Sequence, residues 1–237
     1  MSARYLFVIS IAVLSLCLGC TPTVRYQETI GRDRVPGWQI RKAPAESWVV
    51  EDSVLSCRST GGLWGGWIGS TQEYTDLILE LEFKVSPGAN SGVYLRTPAQ
   101  GHPSAVSLEI QILDDDAEKY KTLKPWQFCG SIYKVAAPSK RAGKPAGEWN
   151  KMRITAIADH IVVELNGQKI IDVNGRSCPE LLKRSPRGFI GFQDHHSLVW
   201  FRNVRLADLS KPPAGSPASR PMACSGMMRM QFAFSEE

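Results

Sequence analysis

The feature that most constrains the fold is a hydrophobic period of two that runs almost without interruption from residue 38 to residue 206. The segment SLEIQIL at 107–113 shows it clearly, because its aliphatic residues fall on one parity while Glu109 and Gln111 fall on the other. Successive side chains of a β-strand point to opposite faces of the sheet. This segment is therefore predicted to be a strand with one buried face and one polar face.

The strongest turn signal is Asn166-Gly167 in HIVVELNGQKIIDV at 160–173, since both residues tolerate the positive φ of a type I′ turn. Only PELLKRS at 179–185 suggests a helix, of about two turns. The other predicted strands are 48–57, 76–85, 90–96, 130–135, 149–157, 188–195 and 199–206. Many short strands with Gly and Pro turns predict an all-β fold, an antiparallel sandwich or jelly roll.

The first twenty residues, MSARYLFVISIAVLSLCLGC, have the pattern of an export signal. Arg4 precedes an uncharged apolar run over 5–18, which is shorter than the roughly 20 residues of a membrane-spanning helix. The run ends in Leu-Gly-Cys and resembles a bacterial lipoprotein signal, in which Cys20 would become the acylated first residue. We therefore expect export to the periplasm or cell envelope, with membrane contact only through a lipid anchor at Cys20.

The rest of the chain is predicted to hold one domain. Residues 21–36 read as a tether, 37–208 as the β-domain, and 209–237 as a disordered tail, because the tail turns abruptly to Pro, Ser, Ala and Met without alternation. The formal net charge of +5 is scattered along the chain. It makes no clustered basic stripe, so we expect no nucleic-acid partner.

Four cysteines follow the signal segment, and their spacing does not suggest a zinc site: Cys57, Cys129, Cys178 and Cys224. Disulfides form in exported chains, and four cysteines allow three pairings among which the sequence does not choose. Isolated buried thiols are an equally good interpretation of the same residues.

The polar parity of three predicted strands carries an unusual set of side chains. An outer strand face commonly carries Lys, Thr and Ser, but this one collects flat donors and acceptors with two flanking carboxylates: Tyr94, Arg96, Glu109, Gln111, Gln193, His195, Asp114 and Asp194. A single outward Glu is usually solvated. The whole set suits the recognition of vicinal hydroxyls and proton transfer. Trp126, Tyr94 and Tyr133 could add flat apolar faces for a pyranose, so we predict a sugar site.

Several motifs, in order, resemble one enzyme family: NSGVYLR, LEIQILDD, KPWQFCGSIYKVAAPS, KPAGEWNKMRI, VVELNGQKIIDV and GFQDHHSLVWFRNVRL. This is the 3-keto-disaccharide hydrolase domain family, also called the 3-keto-glucoside 1,2-lyase or 3-keto-2-hydroxy-glucal hydratase family, and the resemblance covers about residues 37–208. It implies a concanavalin- or laminarinase-like jelly roll in an exported bacterial protein. It also implies cleavage of glycosides that have been oxidised to a ketone at carbon 3 of the sugar.

The implied reaction starts when a base removes the hydrogen on carbon 2; the enolate then expels the group on carbon 1, and water adds. It needs a base near neutral pKa and an electrophile for the enolate oxygen. His195 is the first candidate for the base and Glu109 the second, while Arg96 or a divalent metal ion would stabilise the enolate. Glu109 and His195, with Gln111, could bind that metal. The remaining polar and aromatic residues would bind the substrate: Gln111, Asp114, Gln193, Asp194, Tyr94, Trp126 and Tyr133.

Two other functions fit the same residues. A jelly roll can also be a carbohydrate-binding module without catalysis, since fold does not determine function. A conventional glycoside hydrolase would need two carboxylates beside the bond, such as Glu109 with Asp114 or Asp194. Glu109 and Asp114 are five residues apart and so fall on opposite parities of a continuing strand, which disfavours that pair unless the strand bends at the DDD run.

Overall fold

The protein is described by a computed structural model over residues 24–58, 66–99 and 106–210. Within these ranges thirteen strands form two antiparallel sheets, which confirms the predicted β-sandwich. The strands are β1 Gln27–Glu28, β2 Trp38–Arg41, β3 Trp48–Glu51, β4 Val54–Cys57, β5 Trp67–Ser70, β6 Leu77–Val85, β7 Asn90–Thr97, β8 Leu108–Leu113, β9 Asn150–Ile157, β10 His160–Leu165, β11 Gln168–Val173, β12 Phe189–Gln193 and β13 Val199–Asp208.

The larger sheet, sheet A, has the order β11-β10-β9-β6-β13-β4-β3, with β1 beside β13. Sheet B has the order β2-β5-β12-β7-β8. No helix in the described ranges has the length and apolar character needed to cross a bilayer. Strands β12, β7 and β8, whose polar parity drew attention in the sequence, are direct neighbours in sheet B.

The core lies between the inner faces of the two sheets. Phe192 of sheet B stacks on Phe201 of sheet A with ring centroids 4.1 Å apart, and Trp38 stacks on Phe192 at 5.1 Å. Val93 and Ile110 are also fully buried on this side of sheet B. Because these residues point inward, the alternate residues of the same strands must point to the outer face of sheet B.

Most predicted strands are present, with three corrections. The segment 48–57 is two strands, since Asp52 and Ser53 adopt positive φ (49° and 63°) and turn the chain into a hairpin. The segment 130–135 forms no named strand, and its Ile132 makes isolated bridges with Ile110 and Ala136. The expected helical turns at 179–185 form a short 3-10 helix, Pro179–Lys183, and Pro186 prevents the helix from continuing.

The ends of the chain are only partly described. Gln27–Glu28 pairs with β13 and the N–H of Thr29 donates to the carbonyl of Val204, so this part of the expected tether packs on the sandwich. The predicted signal at 1–20 and the tail beyond residue 210 lie outside the described residues. Cys129 and Cys178 are buried free thiols, as the second interpretation of the cysteines proposed.

Candidate active site

The outer face of sheet B carries buried polar side chains. Glu109 and Gln111 of β8 are each 4% exposed, Gln193 of β12 is 8% exposed, and Tyr94 of β7 is fully buried. Side chains of a solvated strand face would be open to water instead. The structure therefore brings four of the sequence-predicted residues together in a largely water-excluded group.

The carboxylate of Glu109 leans across the neighbouring strand β7. A Cβ atom at Gly92 would lie 3.0 Å from its Oε1 and 3.1 Å from its Cγ, so a larger residue at this position would displace the carboxylate by a few tenths of an ångström. The other carboxylate oxygen, Oε2, is buried without a hydrogen-bond partner in the described part of the chain, and the same holds for Oε1 of Gln111 and Oε1 of Gln193. A buried acceptor left unpaired costs about 1–3 kcal/mol. Three such acceptors on one face fit a ligand that supplies several O–H donors.

Burial controls the acidity of the carboxyl group of Glu109. It raises the pKa of Glu109 from 4.5 to about 7, because the charged form loses its hydration. The cations of Lys134 and Arg184 and the nearby Gln193 amide oppose this rise in pKa and lower it in part. A carboxylate with a pKa near 7 has the acidity required of a general base at neutral pH.

A hydrogen bond orients Gln193 beside this carboxylate. Its Nε2 donates to the hydroxyl oxygen of Tyr94 at 2.8 Å, which leaves Oε1 of Gln193 for another donor. Burial raises the pKa of Tyr94, so the phenol stays neutral. The sequence proposed that Tyr94 stacks on a sugar, but its ring is enclosed and it contacts Trp67 edge to face at 6.1 Å.

Trp67 was missed in the sequence interpretation. Its indole lies flat on β5 and β12, since Cβ atoms at Gly69 and Gly191 would come within 2.0 Å and 2.3 Å of its ring. The guanidinium of Arg41 covers the indole, with its Cζ 4.6 Å from the ring centroid. The alternate glycines in WIG and FIGF were the available signal, because glycine in a strand interior often marks a close approach.

Two predicted aromatic residues lie at the edge of the same face. The backbone N–H of Tyr133 donates to the carbonyl of Glu109 at 2.8 Å, which holds the segment beside β8. The rings of Trp126 and Tyr133 meet edge to face at 5.3 Å, and both are half-buried. They stay accessible to a ligand, as their predicted role requires.

His195 and the two predicted aspartates lie beyond the strand ends. His195 is half-buried two residues after β12, and burial lowers its pKa, so its imidazole is neutral near pH 7. Asp194 accepts from the N–H of His196 at 3.0 Å, and Asp114 accepts from the N–H of Gly88 at 2.7 Å. The structure therefore uses both aspartates to hold loops, and the prediction that they bind sugar hydroxyls gains no support from it.

Arg96 does not join the other residues on this face. A β-bulge in the pairing of β7 with β12 and a positive φ of 54° change its direction, so the parity counted from the sequence fails here. Its Nε donates to the carbonyl of Thr75 at 2.7 Å and its Nη1 to the carbonyl of Ala158 at 2.5 Å. The placement of Arg96 beside the enolate is thus corrected: its guanidinium is bound to the backbone at 75 and 158.

Arg96→Met is expected to lower stability rather than catalysis. Removing the guanidinium breaks its hydrogen bonds to the carbonyls of Thr75 and Ala158 and its ion pair with Asp76, which should cost about 1–3 kcal/mol of the free energy of unfolding. Urea denaturation measures this cost, and kcat of the folded variant should stay within about threefold of the wild type. Arg187→Met, at a largely exposed position, is the control. A hundredfold loss of kcat with unchanged stability would restore a catalytic role for Arg96.

The metal ligands proposed from the sequence do not form a recognisable centre. Across the described ranges, no group of three or more His, Cys, Asp or Glu side chains lies close enough to hold a metal ion. Glu109 and Gln111 offer oxygen donors, but one carboxylate and one amide do not by themselves make a metal site. The divalent metal stays a prediction.

Known proteins are similar to this chain in both sequence and fold. A protein of Bacteroides thetaiotaomicron named 3-keto-disaccharide hydrolase is 28% identical over 217 aligned residues, covering 74% of this chain and 72% of the relative. A crystal structure from Parabacteroides distasonis, described as a candidate glycosyl hydrolase, is 30% identical with a TM-score of 0.68, covering 78% of this chain and all of that one. A carbohydrate-binding module of Bacillus subtilis, CBM66, shares the fold alone at 15% identity and a TM-score of 0.50, covering 72% of this chain and 95% of the module.

The match to a family extends over most of the β-sandwich. The model of the 3-keto-alpha-glucoside-1,2-lyase-like domain matches residues 31–207, which include both sheets except β1 and the last residue of β13. The strands that carry Glu109, Gln111 and Gln193 lie inside this match. The chain therefore belongs to the 3-keto-alpha-glucoside-1,2-lyase-like domain family.

Proposed function

We propose that this protein is a carbohydrate-active hydrolase that cleaves glycosides carrying a ketone at carbon 3 of the sugar ring. The name of the Bacteroides thetaiotaomicron relative supports this reaction class. The observation that carries the proposal is the buried carboxyl group of Glu109, whose pKa is raised to about 7 and whose Oε2 has no partner in the described residues. A non-catalytic sugar-binding module would not need a base of this acidity.

The 3-ketone determines what the base must do. It acidifies the hydrogen on carbon 2, and the carboxylate of Glu109 takes that proton while the electron pair moves towards the oxygen on carbon 3. The enolate then returns its electrons, a double bond forms between carbons 1 and 2, and the bond from carbon 1 to the leaving oxygen breaks. The leaving group gains a proton, and water adds OH to carbon 1 and H to carbon 2. The balance of the two steps is hydrolysis.

The other residues of the face take supporting roles in this proposal. Gln111 and Gln193 accept hydrogen bonds from ring hydroxyls through the oxygens that lack a protein donor. His195, neutral near pH 7, would take the proton of the water that adds in the second step. Glu109 thus replaces His195 as the first candidate for the base of the elimination, because Glu109 lies within the buried group and His195 lies after the end of β12.

One assay compares the possible functions. The purified protein is incubated with an aryl 3-keto-glucoside and with the parent glucoside, each with and without EDTA, and release of the aryl alcohol is followed. Cleavage of the ketone alone is the expected result. Cleavage of the parent would instead indicate a two-carboxylate hydrolase, and binding without cleavage a carbohydrate-binding module. Loss of activity in EDTA that added divalent metal restores would establish the predicted metal.

We also propose that the protein is exported and held in the cell envelope by a lipid on Cys20. The proposal depends on three features of residues 1–20: the positive charge of Arg4, the apolar run over 5–18 and the Leu-Gly-Cys ending. Incorporation of labelled palmitate into the wild-type chain, and its absence from Cys20→Ala, is the expected result. Equal labelling of both chains would exclude this anchor.

A further inference from the structure

A lysine–aromatic cluster, formed by Lys124, Trp126, Tyr133 and Lys134, lies at the edge of the outer face of sheet B. The two rings meet at 5.3 Å, the Nζ of Lys124 is 5.7 Å from the centroid of Trp126, and the Nζ of Lys134 is 5.6 Å from the centroid of Tyr133. Tyr133 is fixed beside the proposed base by its backbone hydrogen bond to Glu109. The cluster therefore borders the proposed position of the sugar.

In the described part of the chain, ion pairs neutralise some exposed lysines, but not the two lysines of this cluster. Lys121 pairs with Glu118 and Lys169 pairs with Asp172, but within the described residues neither Lys124 nor Lys134 forms an ion pair with a carboxylate. An ammonium group without an acidic partner keeps its charge available for an anionic ligand.

The backbone at Lys134 adds a second observation. Its φ of 58° is left-handed, a conformation that side chains other than Gly, Asn and Asp adopt infrequently. Lys134 also acts electrostatically on Glu109, so its charge reaches the interior of the site.

We propose that the lysine–aromatic cluster is the subsite for the leaving group of an anionic glycoside, whose aglycone carries a carboxylate or a sulfate. This inference rests on the proposed glycoside substrate and narrows it to one chemical class. The rings would stack on the body of the aglycone, and the two ammonium groups would pair with its charge. The unpaired oxygens of Glu109, Gln111 and Gln193 remain for the sugar.

Equilibrium binding of intact glucosides tests the subsite without turnover. The probes are phenyl β-glucoside, 4-carboxyphenyl β-glucoside and 4-sulfatophenyl β-glucoside, measured by calorimetry. We expect at least one anionic probe to bind about tenfold more tightly than the neutral one at low salt, and the difference to shrink in about 0.5 M NaCl. Lys124→Met/Lys134→Met should remove the difference, and the double Arg variant should retain it.

A control double variant removes two positive charges from the other side of the sandwich. Lys151 is exposed on sheet A. Lys140 directly follows Ser139, whose N–H donates to the carbonyl of Ile170 of sheet A. The variant Lys140→Met/Lys151→Met should therefore keep the full preference for the anionic probes. Equal binding of all three probes by the wild type, or equal loss in the control, overturns the subsite. If the protein cleaves 3-keto-glucosides but does not prefer anionic probes, the proposed reaction stands and the subsite is contradicted. If it prefers anionic probes but cleaves no 3-keto-glucoside, the subsite stands and the proposed reaction is contradicted.

Discussion

Glu109→Gln is expected to lower kcat/KM for an aryl 3-keto-glucoside by about 10²–10⁴-fold, the range for loss of a general base. The amide keeps the shape and the hydrogen-bonding capacity of the side chain but cannot accept the proton from carbon 2. Glu164→Gln, at a partly exposed position on sheet A, removes the same charge and should leave kcat/KM unchanged. Steady-state kinetics of both variants measure the effect, and a tenfold or smaller loss in Glu109→Gln would assign the base elsewhere.

The pH dependence of the wild-type enzyme gives an independent measurement of the same group. The base must be ionised, and the pKa of Glu109 is raised to about 7 by burial. The value of kcat/KM should therefore be constant above pH 7 and fall tenfold per pH unit below it. A base with the usual carboxyl pKa near 4.5 would instead give a flat profile down to about pH 5.

The raised pKa also has a cost in stability that Glu109→Gln should remove. Because the folded state binds this proton more tightly than the unfolded chain, the contribution of Glu109 to the free energy of unfolding is most favourable below pH 4.5 and falls as the pH rises to about 7. The difference between pKa values of 4.5 and about 7 corresponds to at most about 3.5 kcal/mol. In urea denaturation at pH 8 the variant should exceed the wild type by up to this amount, and the two should converge near pH 4. A variant that is less stable than the wild type at pH 8 would contradict the buried, uncompensated carboxylate.

Phe192→Ala is expected to cost about 3–5 kcal/mol of the free energy of unfolding. Phe192 is fully buried and lies between Phe201 of the opposite sheet and Trp38 of its own sheet, so its ring joins the two inner faces. Alanine leaves a cavity that both sheets border, and the rigid pairing of β12 with its neighbours limits relaxation.

Chemical denaturation of Phe192→Ala and of two comparison variants measures this loss of stability. Phe192→Leu keeps most of the apolar volume and should lose less than half as much stability, while Leu182→Ala at an exposed position should lose less than about 0.5 kcal/mol. A loss below about 1 kcal/mol in Phe192→Ala would mean that the stacked rings do not hold the sheets together. Gln193 directly follows Phe192 in β12, so a shift of β12 around the cavity would also move Gln193. Phe192→Ala should therefore bind sugar ligands more weakly than the wild type.

Much of the fold and part of the site could be predicted from alternation alone. The hairpin at Asn166-Gly167 formed as predicted, with φ of 52° and 77° at these residues. The parity of β7, β8 and β12 correctly placed Tyr94, Glu109, Gln111 and Gln193 on one side. It failed for Arg96, because a bulge adds a residue to one strand and reverses the side chain that follows. It also missed Trp67, whose strand of four residues is too short to show a clear period.

By itself, the sequence determined which side chains share a face along each strand, because parity is a local property of extended backbone. The tertiary structure decided which strands are neighbours in the sheet and which faces lose contact with water, since both depend on pairing between residues far apart in the chain. The pKa of Glu109 illustrates the division. Its position on β8 follows from SLEIQIL, but its elevated pKa follows from burial among residues of other strands. Local alternation specifies a polar side chain, and only the assembled sandwich turns this carboxyl group into a candidate base.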